Sequence, residues 1–143
     1  MRDGRSPAAA YDRRSGAALI RATTVAVILV VEDEAAVAEL IAETLIQRGH
    51  EARMAVSAAH ALMVVRSERP DVILLDINLP DSAGTLTLGR LRELWADVPI
   101  IMLTANTEDA LARATLKRGA FDYISKPFDV DHLMSVVESA LAS

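Results

Sequence analysis

The chain has 143 residues, enough for one well-packed domain but too few for two ordinary ones, and it lacks the cysteine that disulfides or thiolate metal sites would need. Residues 1–24 carry five arginines against two acids, whereas the remainder has 10 basic and 18 acidic side chains, a net charge of −8. A body of that charge would repel a phosphate backbone, so we expect no direct nucleic-acid binding.

The first segments in chain order are a tail and a strand. Residues 1–24, rich in Ala, Arg, Ser and Gly, are expected to be a flexible tail. The β-branched apolar run at residues 25–31 is typical of a strand buried on both faces. Because it stops at three acids, it is far shorter than the roughly 20 apolar residues of a membrane helix and does not resemble a signal peptide. We therefore expect a cytoplasmic protein without membrane insertion.

Four more strands are predicted along the chain. They are residues 51–56, 72–75, 99–103 and 121–125. In the first of these, Ala52, Met54 and Val56 alternate with polar or small residues, which is typical of an edge strand with one wet face.

A helix is predicted in each interval between strands and after the last strand, because apolar residues recur there every three or four positions. Gly49 and Gly119 are expected to end two of the helices, and Ser57, Thr107 and Asp129 to cap three. Strict alternation of five strands and five helices indicates parallel strands with helices on both faces. We expect an α/β flavodoxin-like fold with strand order 2-1-3-4-5.

Polar side chains end four of the strands, at the edge where ligands bind in such sheets. Glu32 and Asp33 follow the first strand, and Asp76, Thr104 and Lys126 lie at the ends of the third, fourth and fifth. Crowded carboxylates raise one another's pKa, so a hard cation is expected to neutralise them. Mg²⁺ prefers such oxygen ligands. We predict Asp33 and Asp76 as direct ligands, with Glu32 assisting directly or through water.

A carboxylate in this place can also be a nucleophile that forms an acyl phosphate. We predict that Asp76 is this nucleophile. The phosphoryl oxygens would be held by the metal ion, the Thr104 hydroxyl and the Lys126 ammonium.

Four motifs in this order resemble those of response-regulator receiver domains. They are ILVVEDE at 28–34, LLDINLP at 74–80 with Gly84, MLTA at 102–105 and YISKPF at 123–128. The resemblance runs from about residue 25 to residue 141, so a receiver domain is expected over residues 25–143.

The resemblance implies roles for particular residues. Asp76 would be the phosphoacceptor, and Asp33, Glu32 and the backbone carbonyl of Asn78 would surround Mg²⁺, with Mn²⁺ as an alternative ion.

It also implies a switch. Thr104 and Lys126 would sense the phosphoryl group, Tyr123 would turn inward as Thr104 moves, and the Lys126-Pro127 peptide bond would be cis.

The implied partners are a histidine kinase or histidine phosphotransfer protein, and a downstream protein target. The face that switches would comprise the fourth helix, the fifth strand and the fifth helix, predicted at residues 107–118, 121–125 and 129–141. The last helix has no Lys or Arg. The transcription-factor branch of the family pairs through basic residues there, so we expect a monomer that docks on other proteins.

Two other functions fit the residues less well. A phosphatase of the haloacid-dehalogenase kind would need a second acid two residues after the nucleophile, where Asn78 stands, and an amide cannot act as a general acid. An interaction domain that no longer accepts phosphate would not need every site position filled. The chain is therefore not expected to be a turnover enzyme; it would catalyse only its own phosphorylation and dephosphorylation.

Overall fold

Five parallel strands and five helices alternate in the computed structural model, which describes residues 25–105 and 107–143; the predicted tail at 1–24 lies outside them. The elements are β1 (Val27–Val31), α1 (Ala35–Gln47), β2 (Glu51–Ala55), α2 (Ala58–Ser67), β3 (Val72–Asp76), α3 (Gly84–Leu94), β4 (Ile100–Ala105), α4 (Asp109–Lys117), β5 (Asp122–Lys126) and α5 (Val130–Ala142). Asn78–Leu79 and Ser82–Ala83 form a short antiparallel pair in the loop after β3. The strand order β2-β1-β3-β4-β5 confirms the predicted fold class.

Two apolar cores lie on opposite faces of the sheet. Leu29 and Leu75 face the core that α2 and α3 cover, whereas Val30 and Leu74 face the core that α1 and α5 cover. All five residues of β1 and of β3 are buried, which holds the central strands and their carboxyl ends in place. Within the described residues, no helix is long and apolar enough to cross a membrane.

One detail of the predicted edge strand is wrong. Ala55 is the buried residue of β2, whereas Met54 and Val56 are about half exposed. The register with β1 explains this, because Ala55 pairs with Val31 and shares the core beneath α2. Met54 pairs with Val30, so it lies on the opposite face of the sheet, where it stays 47% exposed.

The helix ends are mostly as predicted. Ser57 and Asp129 are N-caps whose side chains accept hydrogen bonds from backbone amides, and Gly49 and Gly119 have φ of +88° and +103°. The predicted Thr107 cap is wrong, because α4 begins one residue later, with Glu108 at the cap position.

Gly84 allows the chain after β3 to fold back closely. Its amide donates to the carbonyl of Ile77 at 2.8 Å, and a Cβ at this position would lie 2.6 Å from the Ile77 Cα and O atoms. Since Ile77 directly follows Asp76, the glycine sets the path of the loop beside that residue.

Gly84→Ala is expected to lower the free energy of unfolding by about 1–3 kcal/mol, because the new methyl group overlaps backbone atoms. Gly89→Ala is the matched control: a Cβ there meets no atom within 4 Å, so this variant should be more stable, by up to about 1 kcal/mol. Urea denaturation measures both changes. An equal gain in both variants would contradict the close approach at Gly84.

His50 forms a hydrogen bond at the amino end of β1, at the edge of the sheet opposite the carboxyl ends that carry the polar site residues. Its Nδ1 accepts a hydrogen bond from the Ala26 amide at 3.2 Å, which requires an unprotonated nitrogen. Burial lowers the pKa of His50 below its ordinary value of 6.5, although the charges of Glu138 and Asp71 act in the opposite direction.

The stability that His50 contributes is expected to be present above pH 6.5 and to be lost as pH falls through its lower folded-state pKa, because the unfolded chain takes up the proton first. His50→Gln stays neutral at all these pH values. The difference in unfolding free energy between wild type and His50→Gln, measured from pH 8 to pH 5, should therefore move against wild type on acidification. A difference independent of pH would contradict this assignment.

Candidate functional site

Three carboxylates meet at the carboxyl ends of β1 and β3. Asp76 ends β3 and is buried, Glu32 directly follows β1 and is buried, and Asp33 beside it is exposed. One carboxylate oxygen from each of the three lies within 4.8 Å of those from the other two. The strand register brings them together, because Val31 pairs with Leu75 and the next residue of each strand is an acid.

Lys126, the last residue of β5, supplies a cation to this cluster. Its Nζ lies 2.6 Å from Glu32 Oε1, 3.2 Å from Asp76 Oδ2 and 3.7 Å from Glu34 Oε1. Burial alone would lower the pKa of Lys126, but its hydrogen bond to Glu32 and the charge of Asp76 outweigh burial and raise it. The ammonium is therefore charged at neutral pH.

The pKa of Glu32 is raised above its ordinary value even though the Lys126 ammonium contacts it. Burial raises its pKa, and the nearby charge of Asp76 raises it further, while Lys126 and the Glu34 amide, which donates to Oε2 at 3.1 Å, lower it. Among the described residues, the Lys126 ammonium contacts three carboxylates, those of Glu32, Glu34 and Asp76. Asp33 adds a fourth carboxylate to the cluster, so negative charge remains in excess. The donor set is all oxygen, which fits a hard divalent cation such as Mg²⁺.

The Thr104 hydroxyl is ready to donate. Thr104 is fully buried near the end of β4, and its Oγ1 has no hydrogen-bond partner among the described residues. An unpaired buried hydroxyl destabilises a protein by about 1–3 kcal/mol. Since Thr104 pairs with Ser125 and the following residue with Lys126, the hydroxyl and the ammonium occupy neighbouring strand ends. An anion bound there would accept a hydrogen bond from the hydroxyl and lie near the ammonium.

The remaining predicted residues lie around this centre. The backbone amide of Asn78 donates to Asp76 Oδ1 at 2.9 Å, and this hydrogen bond orients the carboxylate. Tyr123 is half-buried and pairs with Met102, so it lies on the same sheet face as Thr104 two residues further along. The Lys126-Pro127 peptide bond is cis.

Two acids near the site were not identified from the sequence. Asp81, in the loop after β3, accepts hydrogen bonds from the amides of Ala58 and Ala59 at 2.9 and 3.1 Å and so caps α2. Glu108 accepts hydrogen bonds from Ala105 and Asn78. The Asp81 contacts and the Asn78 contact span more than 20 residues, and no sequence spacing indicates them.

Known proteins resemble this chain in sequence. The family model of the response regulator receiver domain matches residues 28–138. The phosphate regulon transcriptional regulatory protein PhoB of Pseudomonas aeruginosa is 41% identical over 116 residues, covering 80% of this chain and 51% of PhoB. The DNA-binding transcriptional regulator NtrC of Proteus hauseri is 33% identical over 112 residues, covering 78% of this chain and 24% of NtrC.

Solved structures give a consistent result. The receiver domain of NtrX from Brucella abortus matches with a TM-score of 0.79 and 36% identity, covering 81% of this chain and 98% of that one. A response regulator receiver domain protein from Clostridium thermocellum matches with a TM-score of 0.78 and 27% identity, covering 82% and 94%. The chain thus spans about a quarter to a half of these curated relatives but nearly all of these solved chains.

Mg²⁺ is expected to raise the thermal midpoint, because a cation relieves repulsion among Glu32, Asp33 and Asp76. A concentration ten times the dissociation constant would stabilise the fold by about 1.4 kcal/mol. Asp33→Asn should lose most of this gain. Glu43→Gln, which removes one exposed acid from α1, should retain it. Equal Mg²⁺ responses in the two variants would contradict the site.

Proposed function

The chain belongs to the response regulator receiver domain family, and from that membership we propose that it is a phosphorylation switch with Asp76 as the acceptor. The convergence of groups around the Asp76 carboxylate carries the proposal. Lys126 Nζ lies 3.2 Å from Oδ2, and the Asn78 backbone amide donates to Oδ1. At the neighbouring strand end lies the buried Thr104 hydroxyl, which finds no partner in the part of the chain that the structure describes.

The phosphoryl donor is a phosphohistidine on a histidine kinase or histidine phosphotransfer protein. An Asp76 oxygen attacks phosphorus, so that a P–O bond forms while the donor's P–N bond breaks. The leaving imidazole nitrogen retains the electron pair of that bond and takes up a proton. Lys126 then balances charge on one phosphoryl oxygen and the Thr104 hydroxyl donates to another, in the manner of other phosphoryl-transfer sites.

A divalent ion completes the site. Asp33, Asp76, Glu32 and the backbone carbonyl of Asn78 would hold Mg²⁺, with Mn²⁺ as an alternative. When bound, the ion supplies positive charge that offsets the charge on the phosphoryl oxygens. The excess of carboxylates over ammonium groups supports this assignment.

The donor would dock beside the acceptor, over a groove of about 380 Å³ next to Lys126. The groove is mostly apolar and lies between α1 and the loop after β5. Its lining residues are Glu34, Val37, Leu40, Ala105, Lys126, Pro127 and Phe128. An exposed apolar surface against a charged site suits a protein partner, which can cover the apolar side chains while it presents its phosphohistidine.

The output face is formed by α4, β5 and α5. Thr104 and Tyr123 share one side of the sheet, so movement of the hydroxyl onto a phosphoryl oxygen vacates space that the tyrosine ring can enter. This is a two-state element biased by a new charge, and its readout is binding of a downstream protein target. The acidic body and the absence of Lys and Arg from α5 favour a monomer that acts on proteins rather than on nucleic acid. The proposed compartment is the cytoplasm.

Acetyl phosphate with Mg²⁺ is expected to add one phosphoryl group to the wild-type protein, detected by intact-mass spectrometry, and chelation of Mg²⁺ should prevent it. Asp76→Asn should remain unmodified, because an amide oxygen is a poor nucleophile. Asp122→Asn, a change of the same kind at a partly exposed position of β5, is the matched control and should be modified like wild type. Modification of Asp76→Asn would show that the acceptor is another residue.

A further inference from the structure

The Glu108 carboxylate bridges the loop after β3 and the end of β4. Glu108 Oε1 accepts a hydrogen bond from the Ala105 amide at 3.1 Å, and Oε2 accepts one from the Asn78 side-chain amide at 2.5 Å. Asn78 lies two residues after Asp76, and Ala105 directly follows Thr104. One side chain therefore ties the loop that follows the acceptor to the strand end that carries the Thr104 hydroxyl.

Glu108 makes this bridge from the N-cap position of α4. An acidic N-cap usually accepts hydrogen bonds from amides in the first turn of its own helix. Here the side chain makes no such bond, although the backbone carbonyl accepts the first helical bond, from the Ala112 amide at 2.9 Å. The same residue thus sets the start of α4 and closes the bridge at the site.

We propose that Glu108 is a latch that holds the unphosphorylated arrangement and opens when Asp76 is phosphorylated. This inference rests on the function proposed above. A phosphoryl group brings about −2 of charge close to the two segments that the carboxylate joins, and like charges repel. Both anions also accept hydrogen bonds from amide donors, so they compete for the same partners. The closed latch and the phosphorylated acceptor therefore disfavour each other.

Opening the latch has a consequence for the output face. It frees the Ala105 amide and the Asn78 side chain, and it releases a carboxylate that can cap the first turn of α4. Because α4 belongs to the proposed output face, the latch links phosphorylation to that face through hydrogen bonds. Removing the latch should raise the population of the arrangement that holds a phosphoryl group, even before one arrives.

The test compares Glu108→Gln with Asp109→Asn. A glutamine has nearly the same shape, but its amide nitrogen cannot accept, so at most one of the two bonds survives. Asp109 is the next residue, also acidic but more exposed than the partly buried Glu108, and it forms no hydrogen bond or ion pair with the described site residues, so its variant controls for charge. The probe is beryllofluoride with Mg²⁺, a stable phosphoryl mimic, titrated while backbone amide resonances are followed by nuclear magnetic resonance.

Glu108→Gln is expected to bind beryllofluoride roughly three- to tenfold more tightly than wild type, and Asp109→Asn to stay within about twofold. The Ala105 amide resonance of free Glu108→Gln should move towards its position in the beryllofluoride-bound wild type. A general loss of negative charge would not produce that movement.

Other outcomes of the titration would contradict the latch alone or the latch together with the proposed function. Equal affinities for Glu108→Gln and wild type, equal gains in both variants, or weaker binding by Glu108→Gln would each overturn the latch while the proposed function stands. Failure of the wild-type protein to bind beryllofluoride at all would count against the proposed function, and the latch would fall with it.

Discussion

The structure depends on how negative charge is balanced at one edge of the sheet. Burial of β1 and β3 on both faces forces Glu32 and Asp76 next to each other, and the Lys126 ammonium is the cation that meets both. The ammonium stabilises the carboxylates but does not match their number. The fold therefore holds a local excess of negative charge that favours the binding of a cation.

Much of this site could be predicted because it is built from strand ends. Once the alternation of strands and helices indicates a parallel sheet, residues that follow the strands must gather at one edge, and four strands here deliver polar groups to it. The β1–β3 and β4–β5 registers then bring Asp76 beside Glu32, and Thr104 beside the strand that ends in Lys126.

The features that the sequence did not indicate depend on long-range contacts or on fine register. Glu108 directly follows the predicted cap Thr107, where an acid suits the helix dipole, yet its carboxylate bonds to the end of β4 and the loop after β3. The burial of Ala55 in place of Met54 follows from pairing with β1, which apolar alternation within β2 cannot reveal. Caps such as Ser57 were predictable because their bonds span only three residues.

The contacts of Asp81 limit how much the length of the loop after β3 can change. Its carboxylate holds the first amides of α2 while its own loop carries Asn78 beside the acceptor, so the length of that loop is constrained at both ends. An insertion there would either pull the carboxylate off the helix or shift the amide that orients Asp76. A side-chain substitution on the outer surface of a helix disturbs neither contact, so it is more easily accommodated than a change in the length of this loop.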